Sequence, residues 1–421
     1  MRLREGRISY VQPLERKKTM IQKIVIAGSG FAGMWSALSA ARAVSLAGKE
    51  SEVEITVVSP TPNLHIRPRL YETVFEEMSP DIAPLLAAVG VRHLAGTVET
   101  VHAKRHAVEV MGNDGKRITL PYDRFVLATG SRLFLPDVPG LKEHSFNVDQ
   151  LSSAITLDTH LRALAHKPET IARNTVVVAG GGFTGIETVT EMPRRLRKIF
   201  GPHAKIRVVV LEQASAIGPD LGPTPRPLIE EALAECGVEV MISTGAAAID
   251  ADGVTTSTGE RIETNTLVWT AGARANPLAA QIEGERDRFG RVQADQYLRA
   301  KSAKDVFVTG DVAMVATDDQ GHVASMSCQH ALSLGRVAGH NAAAELVGLP
   351  THPYSQPKYV TCLDLGPWGA IYTEGWDRQV VLRREEGKAT KRAINTQWIY
   401  PPQPDRNAVF AIANPDYVIV P

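Results

Sequence analysis

The sequence has no excess charge of either sign and no long apolar run. Lys plus Arg and Asp plus Glu both number 46 among 421 residues, so the formal net charge is zero. A neutral chain lacks the positive field of a nucleic-acid-binding protein. The longest nearly apolar runs, such as residues 83–91, reach about half of the roughly 18 residues that a membrane-spanning helix needs. We therefore expect a globular protein with no nucleic-acid partner and at most peripheral membrane contact.

Cysteine is also scarce, and the histidines form no metal-binding pattern. Cys236, Cys328 and Cys362 lie far apart and make no C-x-x-C pair, which argues against a disulfide framework and a structural zinc. His102 and His106 fall in a predicted strand–turn–strand segment, where their spacing does not bring two side chains together. We predict no bound metal. We also predict a cytoplasmic protein, either free or loosely associated with the inner face of the membrane.

A strand, a glycine-rich turn, a helix and a second strand follow one another near the N-terminus. Residues 21–27 are apolar and β-branched, residues 28–33 read G-S-G-F-A-G, a helix is predicted over 34–47, and residues 53–58 form the next strand. This order is typical of a dinucleotide-binding βαβ unit, whose glycines permit a tight turn and let the backbone approach a pyrophosphate. The predicted contacts are Gly28, Ser29, Gly30, Phe31, Ala32 and Gly33.

The same arrangement recurs in the middle of the chain. A strand over residues 174–179 precedes the turn G-G-G-F-T-G, which is followed by a helix ending near residue 200 and a strand over 206–211. Two dinucleotide units in one chain suggest one bound flavin and one visiting nicotinamide nucleotide. The predicted contacts of the second unit are Gly180, Gly182, Phe183, Thr184 and Gly185.

Ser59 and Glu212 occupy equivalent positions, each at the end of the second strand of its unit. A carboxylate at this position accepts hydrogen bonds from ribose hydroxyls and repels a 2′-phosphate, so Glu212 predicts NADH rather than NADPH. A solvated strand-end glutamate is the alternative. Ser59 offers only a hydroxyl, so either other groups hold the ribose of the first nucleotide or the first site is looser.

The sequence resembles the two-dinucleotide-domain flavoprotein reductases of the pyridine nucleotide-disulphide oxidoreductase superfamily, and most of all the type II NADH dehydrogenases. The resemblance rests on both glycine turns and on three further motifs in the same order, YDRFVLATG (122–130), VWTAGARANPL (268–278) and DVFVTGD (305–311). It covers about residues 20–348 and continues more weakly to the C-terminus.

This resemblance implies an α/β fold with two Rossmann-like domains, one for FAD and one for NAD(P)H, and a C-terminal α+β region. The implied boundaries are a mobile extension (1–19), an FAD-binding domain in two parts (20–145 and 276–345), an NAD(P)H-binding domain (146–275) and an interface or acceptor region (346–421). The implied cofactors are FAD and NADH. The further implied cofactor contacts are Ser59, Pro68, Ala128, Thr129, Gly130, Ala271, Gly272, Gly310 and Asp311.

Two residues are candidates for catalytic roles through the resemblance. Glu187 stands where related dehydrogenases carry a Glu close to the meeting point of nicotinamide and flavin, which implies cofactor positioning or proton handling. The alternative is an acid favoured only by the helix dipole. Gln329 matches the first glutamine of the family's quinone pocket, whereas Ser333 replaces the second and Cys328 replaces an alanine. These departures leave the electron acceptor open.

The resemblance aligns Pro68 with the segment in which the related reductases place a proline against the flavin ring. Two arginines flank this proline. Arg67 and Arg69 either stabilise a reduced flavin or bind an acidic substrate, or they are surface arginines.

The C-terminal region is rich in glycine and aromatic residues. Trp368, Tyr372 and Trp376 either wall an acceptor pocket or form the core of a dimer, and we expect a homodimer. A strand over residues 379–382, a turn at Glu-Glu-Gly-Lys (385–388) and a return strand are predicted to form a hairpin. The prolines among residues 400–404 preclude a long helix there.

We predict an FAD-dependent oxidoreductase that takes a hydride from NADH and passes electrons to a small-molecule acceptor such as a quinone. One alternative is an FAD-dependent oxidoreductase that acts on a small organic metabolite or oxygen, with its pocket near Arg67, Gln329 and Trp376. Another alternative is a binding protein that senses flavin and NADH.

Overall fold

The computed structural model describes residues 21–418. The predicted N-terminal extension (1–19) lies outside the described residues. Ten α-helices occur in the described part, and they are α1 (Phe31–Leu46), α2 (Ala83–Ala88), α3 (Leu141–His144), α4 (Leu151–Leu164), α5 (Ile171–Asn174), α6 (Phe183–Phe200), α7 (Arg226–Cys236), α8 (Cys328–Val347), α9 (Arg384–Ala393) and α10 (Arg406–Ile412). The short 3-10 helices are Arg67–Arg69, Ala103–Arg105, Pro219–Leu221, Pro277–Gln281, Gly310–Val312 and Gly366–Trp368, and a π-helical turn spans Ile394–Trp398.

The strands are, in chain order, β1 (Gln22–Ala27), β2 (Val53–Ser59), β3 (Arg92–His102), β4 (Ala107–Gly112), β5 (Arg117–Pro121), β6 (Arg124–Leu127), β7 (Ser131–Leu133), β8 (Ser145–Phe146), β9 (Thr175–Ala179), β10 (Arg207–Leu211), β11 (Val238–Met241), β12 (Ala246–Asp250), β13 (Gly253–Thr256), β14 (Arg261–Glu263), β15 (Thr266–Trp269), β16 (Ala273–Ala275), β17 (Val292–Gln293), β18 (Arg299–Ala300), β19 (Ala303–Val308), β20 (Ala313–Met314), β21 (Val360–Asp364), β22 (Ala370–Glu374) and β23 (Gln379–Arg383).

The first sheet has eight strands in the order β18-β19-β6-β1-β2-β3-β4-β5. Strands β19, β6, β1, β2 and β3 run parallel, and their apolar side chains form the larger hydrophobic core together with α1 and α8. The two helices pack closely because their contact is made by small residues. A Cβ atom on Gly339 of α8 would collide with the backbone of Ser36 in α1.

The second sheet has five parallel strands in the order β11-β10-β9-β15-β8. Strands β9 and β15 are buried along their whole length, as expected for a parallel sheet covered on both faces. Helices α4, α6 and α7 contribute to its core. The two parallel sheets confirm the predicted α/β fold class, and each glycine turn follows the first strand of its predicted unit.

The C-terminal region contains the antiparallel sheet β21-β22-β23, against which α9 packs. The predicted turn at Glu-Glu-Gly-Lys and the return strand are wrong, because residues 384–393 form α9. Gly387 lies inside this helix, where a Cβ atom would collide with the carbonyl oxygen of Ala370. The glycine therefore serves close packing rather than a turn. Helix α10, after the prolines, has only seven residues, as predicted.

No helix within residues 21–418 combines the length and the apolar content needed to cross a bilayer.

Candidate active site

A cleft of about 1700 Å³ is lined by residues of both parallel sheets' ends and of the C-terminal region. Pockets for one small molecule are usually about 300–1,000 Å³, so this cleft has room for more than one ligand. The predicted site residues that line it are Gly28, Ser29, Gly30, Phe31, Ala32, Ser59, Pro68, Ala128, Thr129, Gly130, Phe183, Thr184, Glu187, Gly272, Gly310, Asp311 and Gln329. Those outside its lining are Gly33, Gly180, Gly182, Gly185, Glu212 and Ala271.

The first glycine turn forms an open backbone cradle at the start of α1. Gly28 has a φ of +108°, and a Cβ atom there would lie 2.5 Å from the carbonyl oxygen of Ala128. Gly33 packs on the backbone of Gly28. At Gly30, by contrast, a Cβ atom would meet nothing within 4 Å, so the backbone is open beside the N-terminus of α1. This cradle fits the pyrophosphate of a dinucleotide.

The second turn repeats this geometry at the start of α6. Gly180 has a φ of +116°, and Gly185 packs on its backbone. Gly182 is open in the same way as its counterpart in the first turn. Phe183 and Thr184 carry the turn into the cleft wall, and Ala271 packs behind Gly180. The second cradle also fits a pyrophosphate.

The two strand ends are built differently. The buried carboxylate of Glu212 accepts hydrogen bonds from the backbone N–H groups of Gly181 (2.8 Å) and Ala214 (2.7 Å). Each of its oxygens keeps a lone pair for a further donor. The Ser59 hydroxyl donates to the carbonyl of Thr61 (2.7 Å) and lies 2.9 Å from Nε2 of His93. A neutral hydroxyl thus replaces the charged strand-end group in the first unit.

Asp311 lies at the end of the first sheet, in the 3-10 turn that begins with Gly310. Its Oδ2 accepts a hydrogen bond from the Ser131 hydroxyl (2.6 Å) and lies 3.7 Å from Nη1 of Arg67. Arg67 also pairs with the carboxylate of Asp149. The second oxygen of Asp311 has no hydrogen bond to the described part of the chain. It is therefore an available acceptor for the hydroxyls of a bound ligand.

The two arginines that flank Pro68 have different environments. Arg67 lines the cleft. Arg69 is buried, pairs with Glu72 (2.9 Å) and donates to the hydroxyl of Tyr400. The interpretation as a surface arginine is therefore wrong for Arg69, whereas the side chain of Arg67 is 31% exposed in the cleft.

Glu187 and Lys391 form a buried ion pair in the cleft wall. Nζ of Lys391 lies 2.7 Å from Oε1 of Glu187, and both side chains are at most 6% exposed. Burial raises the pKa of Glu187 to about 7, although Lys391 acts in the opposite direction. Burial lowers the pKa of Lys391, but Glu187, Cys362 and Asp364 together raise it by more, so the net shift is upward. Glu187 thus changes protonation near neutral pH.

A hydrogen-bonded network extends from this pair. The backbone N–H of Asp364 donates to Glu187 (3.1 Å), and the Asp364 carboxylate accepts hydrogen bonds from Tyr71 (2.9 Å) and Lys388 (2.6 Å). Burial raises the pKa of Tyr71, so its hydroxyl stays protonated. Sequence reasoning missed Lys391 and Asp364, because nothing near them in the chain indicates a partner about 180 or more residues away.

The cleft continues past Gln329 to the C-terminal region. The side-chain oxygen of Gln329 accepts a long hydrogen bond from the backbone N–H of Val360 (3.4 Å). Cys328 and Cys362 also line this part, and burial raises the pKa of both thiols, to about 12 for Cys362. Both are therefore neutral at physiological pH and are poor nucleophiles. All three cysteines in residues 21–418 are free.

Trp368, Tyr372 and Trp376 do not line the cleft, so the prediction that they wall the pocket is wrong. Trp376 stacks behind Tyr359, with ring centroids 4.5 Å apart, and Tyr359 forms the wall. Trp398, which sequence reasoning also missed, lines the cleft from the π-helical turn and is 47% exposed.

No group of three or more His, Cys, Asp or Glu side chains that could hold a metal ion occurs among the described residues.

The model of the pyridine nucleotide-disulphide oxidoreductase family matches residues 22–335. The chain belongs to this family. An NADH dehydrogenase-like protein of Mycobacterium tuberculosis (strain CDC 1551 / Oshkosh) is 43% identical over 389 residues, covering 90% of this chain and 94% of the relative. A type II NADH:quinone oxidoreductase of M. tuberculosis (strain ATCC 25618 / H37Rv) is 32% identical over 321 residues, covering 70% of this chain and 66% of that relative.

Among solved structures, NDH2 from Plasmodium falciparum in complex with NADH superposes with a TM-score of 0.73 at 12% identity, covering 93% of this chain and 97% of that one. These matches confirm the predicted family and fold. The chain is an NAD(P)H oxidoreductase, and its family membership implies FAD and NADH as cofactors.

Proposed function

We propose that this protein is an FAD-dependent NADH dehydrogenase that passes electrons to a quinone. The observation that carries this proposal is one continuous cleft, which extends from the first glycine turn past Glu187 to Gln329 and Trp398. Relatives named NADH dehydrogenase-like protein and type II NADH:quinone oxidoreductase support it. A flavin bound here would supply the chemistry for accepting a hydride from NADH and passing two electrons to a second substrate.

The first glycine turn lines the cleft, whereas the second lies beside it and reaches its wall through Phe183 and Thr184. The first glycine turn and Asp311 hold FAD, and the second glycine turn and Glu212 hold NADH. The acceptor binds between Gln329 and the π-helical turn, where Tyr359, Trp398 and neighbouring apolar residues provide flat walls for a planar ring.

The buried pair of Glu187 and Lys391 handles a proton. Reduction of a quinone to a quinol consumes two protons, of which hydride transfer supplies one. A carboxyl group with a pKa of about 7 can give up a proton and regain it at neutral pH. We assign this role to the Glu187 carboxyl, and Lys391 at 2.7 Å fixes its position.

An anaerobic titration tests the nucleotide assignment. Stoichiometric addition of NADH to the purified holoenzyme is expected to bleach the flavin absorbance, and NADPH is expected to do so only at much higher concentration. A bound flavin that neither nucleotide reduces contradicts the proposal.

A steady-state comparison tests the acceptor. We expect turnover with short-chain benzoquinones or naphthoquinones to exceed turnover with oxygen by at least tenfold. Replacing Trp398 by Ala should raise the KM for the quinone and leave flavin reduction by NADH unchanged. Ile171, which is 68% exposed and lies outside the cleft, provides the control variant Ile171→Ala.

A second candidate acceptor is a small organic metabolite or oxygen, which the replacement of the second quinone-pocket glutamine by Ser333 favours. Bleaching by NADH without turnover of any quinone would support this candidate.

We further propose that residues 20–145 with 276–345 form the FAD-binding domain, 146–275 the NADH-binding domain, and 346–421 an acceptor or dimer region. The separation of the two parallel sheets supports these boundaries, which limited proteolysis would test.

We also propose a cytoplasmic homodimer with at most loose membrane association. Light scattering of the purified protein and cell fractionation test these two points.

A further inference from the structure

Arg378 lies in the cleft wall and carries a positive charge. No carboxylate among residues 21–418 lies within ion-pair distance of it. Its Nη2 donates a hydrogen bond to the backbone carbonyl of Asp220 (2.8 Å), and its guanidinium lies over the ring of Tyr359, 5.2 Å from the centroid. These contacts hold the side chain in place but use only one of its five N–H donors. The remaining donors are available to an anionic ligand.

The backbone at Arg378 adopts a conformation that residues with a Cβ atom rarely adopt. Its φ is +56°, in the turn that joins β22 to β23. Such strain persists where the surrounding structure imposes it, and it is concentrated at ligand-binding positions. This conformation belongs to the turn that brings Arg378 to the cleft.

The partner of Arg378 connects it to the second glycine turn. Asp220 lies in the 3-10 helix Pro219–Leu221, and the preceding Gly218 donates its N–H to the carbonyl of Gly181 (2.9 Å). Asp220 offers its backbone carbonyl to the guanidinium, while its carboxylate makes no ion pair with it. The C-terminal cation is thus tied to the segment that borders the proposed nucleotide cradle.

We propose that Arg378 binds the pyrophosphate of NADH. A pyrophosphate carries two negative charges, whereas the N-terminus of α6 supplies only a partial positive charge. An arginine matches phosphate oxygens with a fork of donors. This inference rests on the proposed NADH site at the second glycine turn and adds a contact from the C-terminal region.

Arg384, the first residue of α9 and the residue that follows β23, is a matched control. Arg384 also has a φ of +56°, and its guanidinium lies over Trp368, 4.1 Å from the ring centroid. It differs because it pairs with Glu231 and Glu235 and lies outside the cleft lining. Replacing Arg384 therefore removes an arginine that is stacked on an aromatic ring but leaves the residues that line the cleft unchanged.

The experiment measures binding of NAD⁺, ADP-ribose and adenosine to the oxidised holoenzyme, without turnover. We expect Arg378→Gln to weaken NAD⁺ and ADP-ribose about tenfold, as for loss of a charge-assisted hydrogen bond, and to leave adenosine unchanged. Arg378→Lys, which keeps the charge without the fork, should weaken them about threefold. Arg384→Gln should change none of the three affinities by more than about twofold.

Salt dependence provides a second readout. The affinity of the wild type for ADP-ribose should fall as NaCl is raised, and that of Arg378→Gln should fall less steeply. Unchanged ADP-ribose affinity in Arg378→Gln overturns the proposal. A rise in only the KM for the quinone in Arg378→Gln also overturns the proposal, because Arg378 would then contact the acceptor rather than the pyrophosphate.

Flavin absorbance and thermal unfolding of each variant are measured first. If Arg378→Gln does not fold, the affinities of Arg378→Lys decide the question, and ADP-ribose binding equal to the wild type refutes the contact. If the wild type itself binds neither NAD⁺ nor ADP-ribose, the proposed NADH site is wrong and the role of Arg378 fails with it.

Discussion

Glu187 is a buried carboxyl group that is ionisable near neutral pH. Burial raises its pKa to about 7 from an ordinary value of 4.5, even with Lys391 at 2.7 Å. Because the folded pKa is above the unfolded one, the unfolded chain releases this proton at lower pH than the folded chain does. The contribution of this group to the free energy of unfolding is therefore complete below pH 4.5 and is lost as the pH rises to about 7.

We predict that Glu187→Gln removes this pH dependence. The free energy of unfolding, measured with urea at pH 5 and pH 7, should vary less in the variant than in the wild type. Flavin should stay bound, and its oxidation by a quinone should slow about tenfold or more because the proton donor is lost. Glu230→Gln, on the outer face of α7, is the control and should behave as the wild type. An unchanged oxidation rate with reduced stability would mean that Glu187 serves the fold alone.

Glu212 is expected to set the choice between the two nicotinamide nucleotides. Glu212→Ala removes a charge that repels a 2′-phosphate and an acceptor for the ribose, so the ratio of kcat/KM for NADH over NADPH should fall about tenfold. It also removes the acceptor for the N–H of Gly181, so NADH binding should weaken as well. Glu239→Ala, in the neighbouring strand and paired with Arg207, should leave the ratio unchanged. A constant ratio in Glu212→Ala would reject the ribose contact.

At the scale of elements, the contact between α1 and α8 depends on glycine. A Cβ atom on Gly339 would collide with the backbone of Ser36, so the two helices must move apart to accept one. We predict that Gly339→Ala lowers the free energy of unfolding by about 1–3 kcal/mol. Ser333→Ala, on a half-buried position of the same helix, should change it by less than about 0.5 kcal/mol. Urea unfolding measures both. Equal stability of the two variants would show that the helices adjust freely.

Local signals in the sequence were sufficient for the strands and helices around the glycine turns. The predicted helix over 34–47 and strand over 53–58 correspond to α1 (Phe31–Leu46) and β2 (Val53–Ser59), because apolar runs and glycines determine these elements within a few residues. Helix α9 was not predictable in the same way. Gly387 indicated a turn in the sequence. In the structure it is a glycine inside the helix, because a Cβ atom would collide with the carbonyl oxygen of Ala370. Only the tertiary contact explains that residue.

The site was predictable to a similar extent. The glycine turns were predicted from their motifs and Glu187 from the family resemblance, and the structure places Glu187 in the cleft wall. Lys391 was missed because its partner is 204 residues away and no pattern links the two positions. Trp398 was missed because a single exposed aromatic carries no signal of its own, and only the cleft gives it a place.

At the scale of the whole molecule, Arg67 joins segments that are distant in the chain. It pairs with Asp149, which precedes α4, and lies beside Ser131 and Asp311 at the end of the first sheet. The guanidinium thus connects the segment between β8 of the second sheet and α4 with the residues that would hold FAD. Without it, two carboxylates in the cleft wall lose their common counter-ion.

We predict that Arg67→Met weakens FAD binding about tenfold and lowers the free energy of unfolding by about 1–2 kcal/mol, because a partly buried charge network loses its cation. Flavin fluorescence on dilution measures the first effect, and urea unfolding the second. The control is Arg117→Met, which also lines the cleft but pairs with Glu99 in an exposed position, and which should change stability by less than about 0.5 kcal/mol. Full FAD retention in Arg67→Met would contradict the assigned connection.

The strands of the first sheet come from two distant stretches of the chain. The position of the second stretch therefore determines when this sheet can form during synthesis on the ribosome. Strand β6 lies between β1 and β19, and α1 is covered by α8, so this sheet needs residues 22–127 together with residues 299–347. The strands of the second sheet lie within residues 145–269, but its hydrophobic core also includes Leu363, Leu365, Trp368 and Ile371 of the C-terminal region. The first unit therefore has all of its core residues only after residue 347 has been translated, and the second unit only after residue 371. The growing chain must keep its N-terminal strands from mispairing until translation has passed α8.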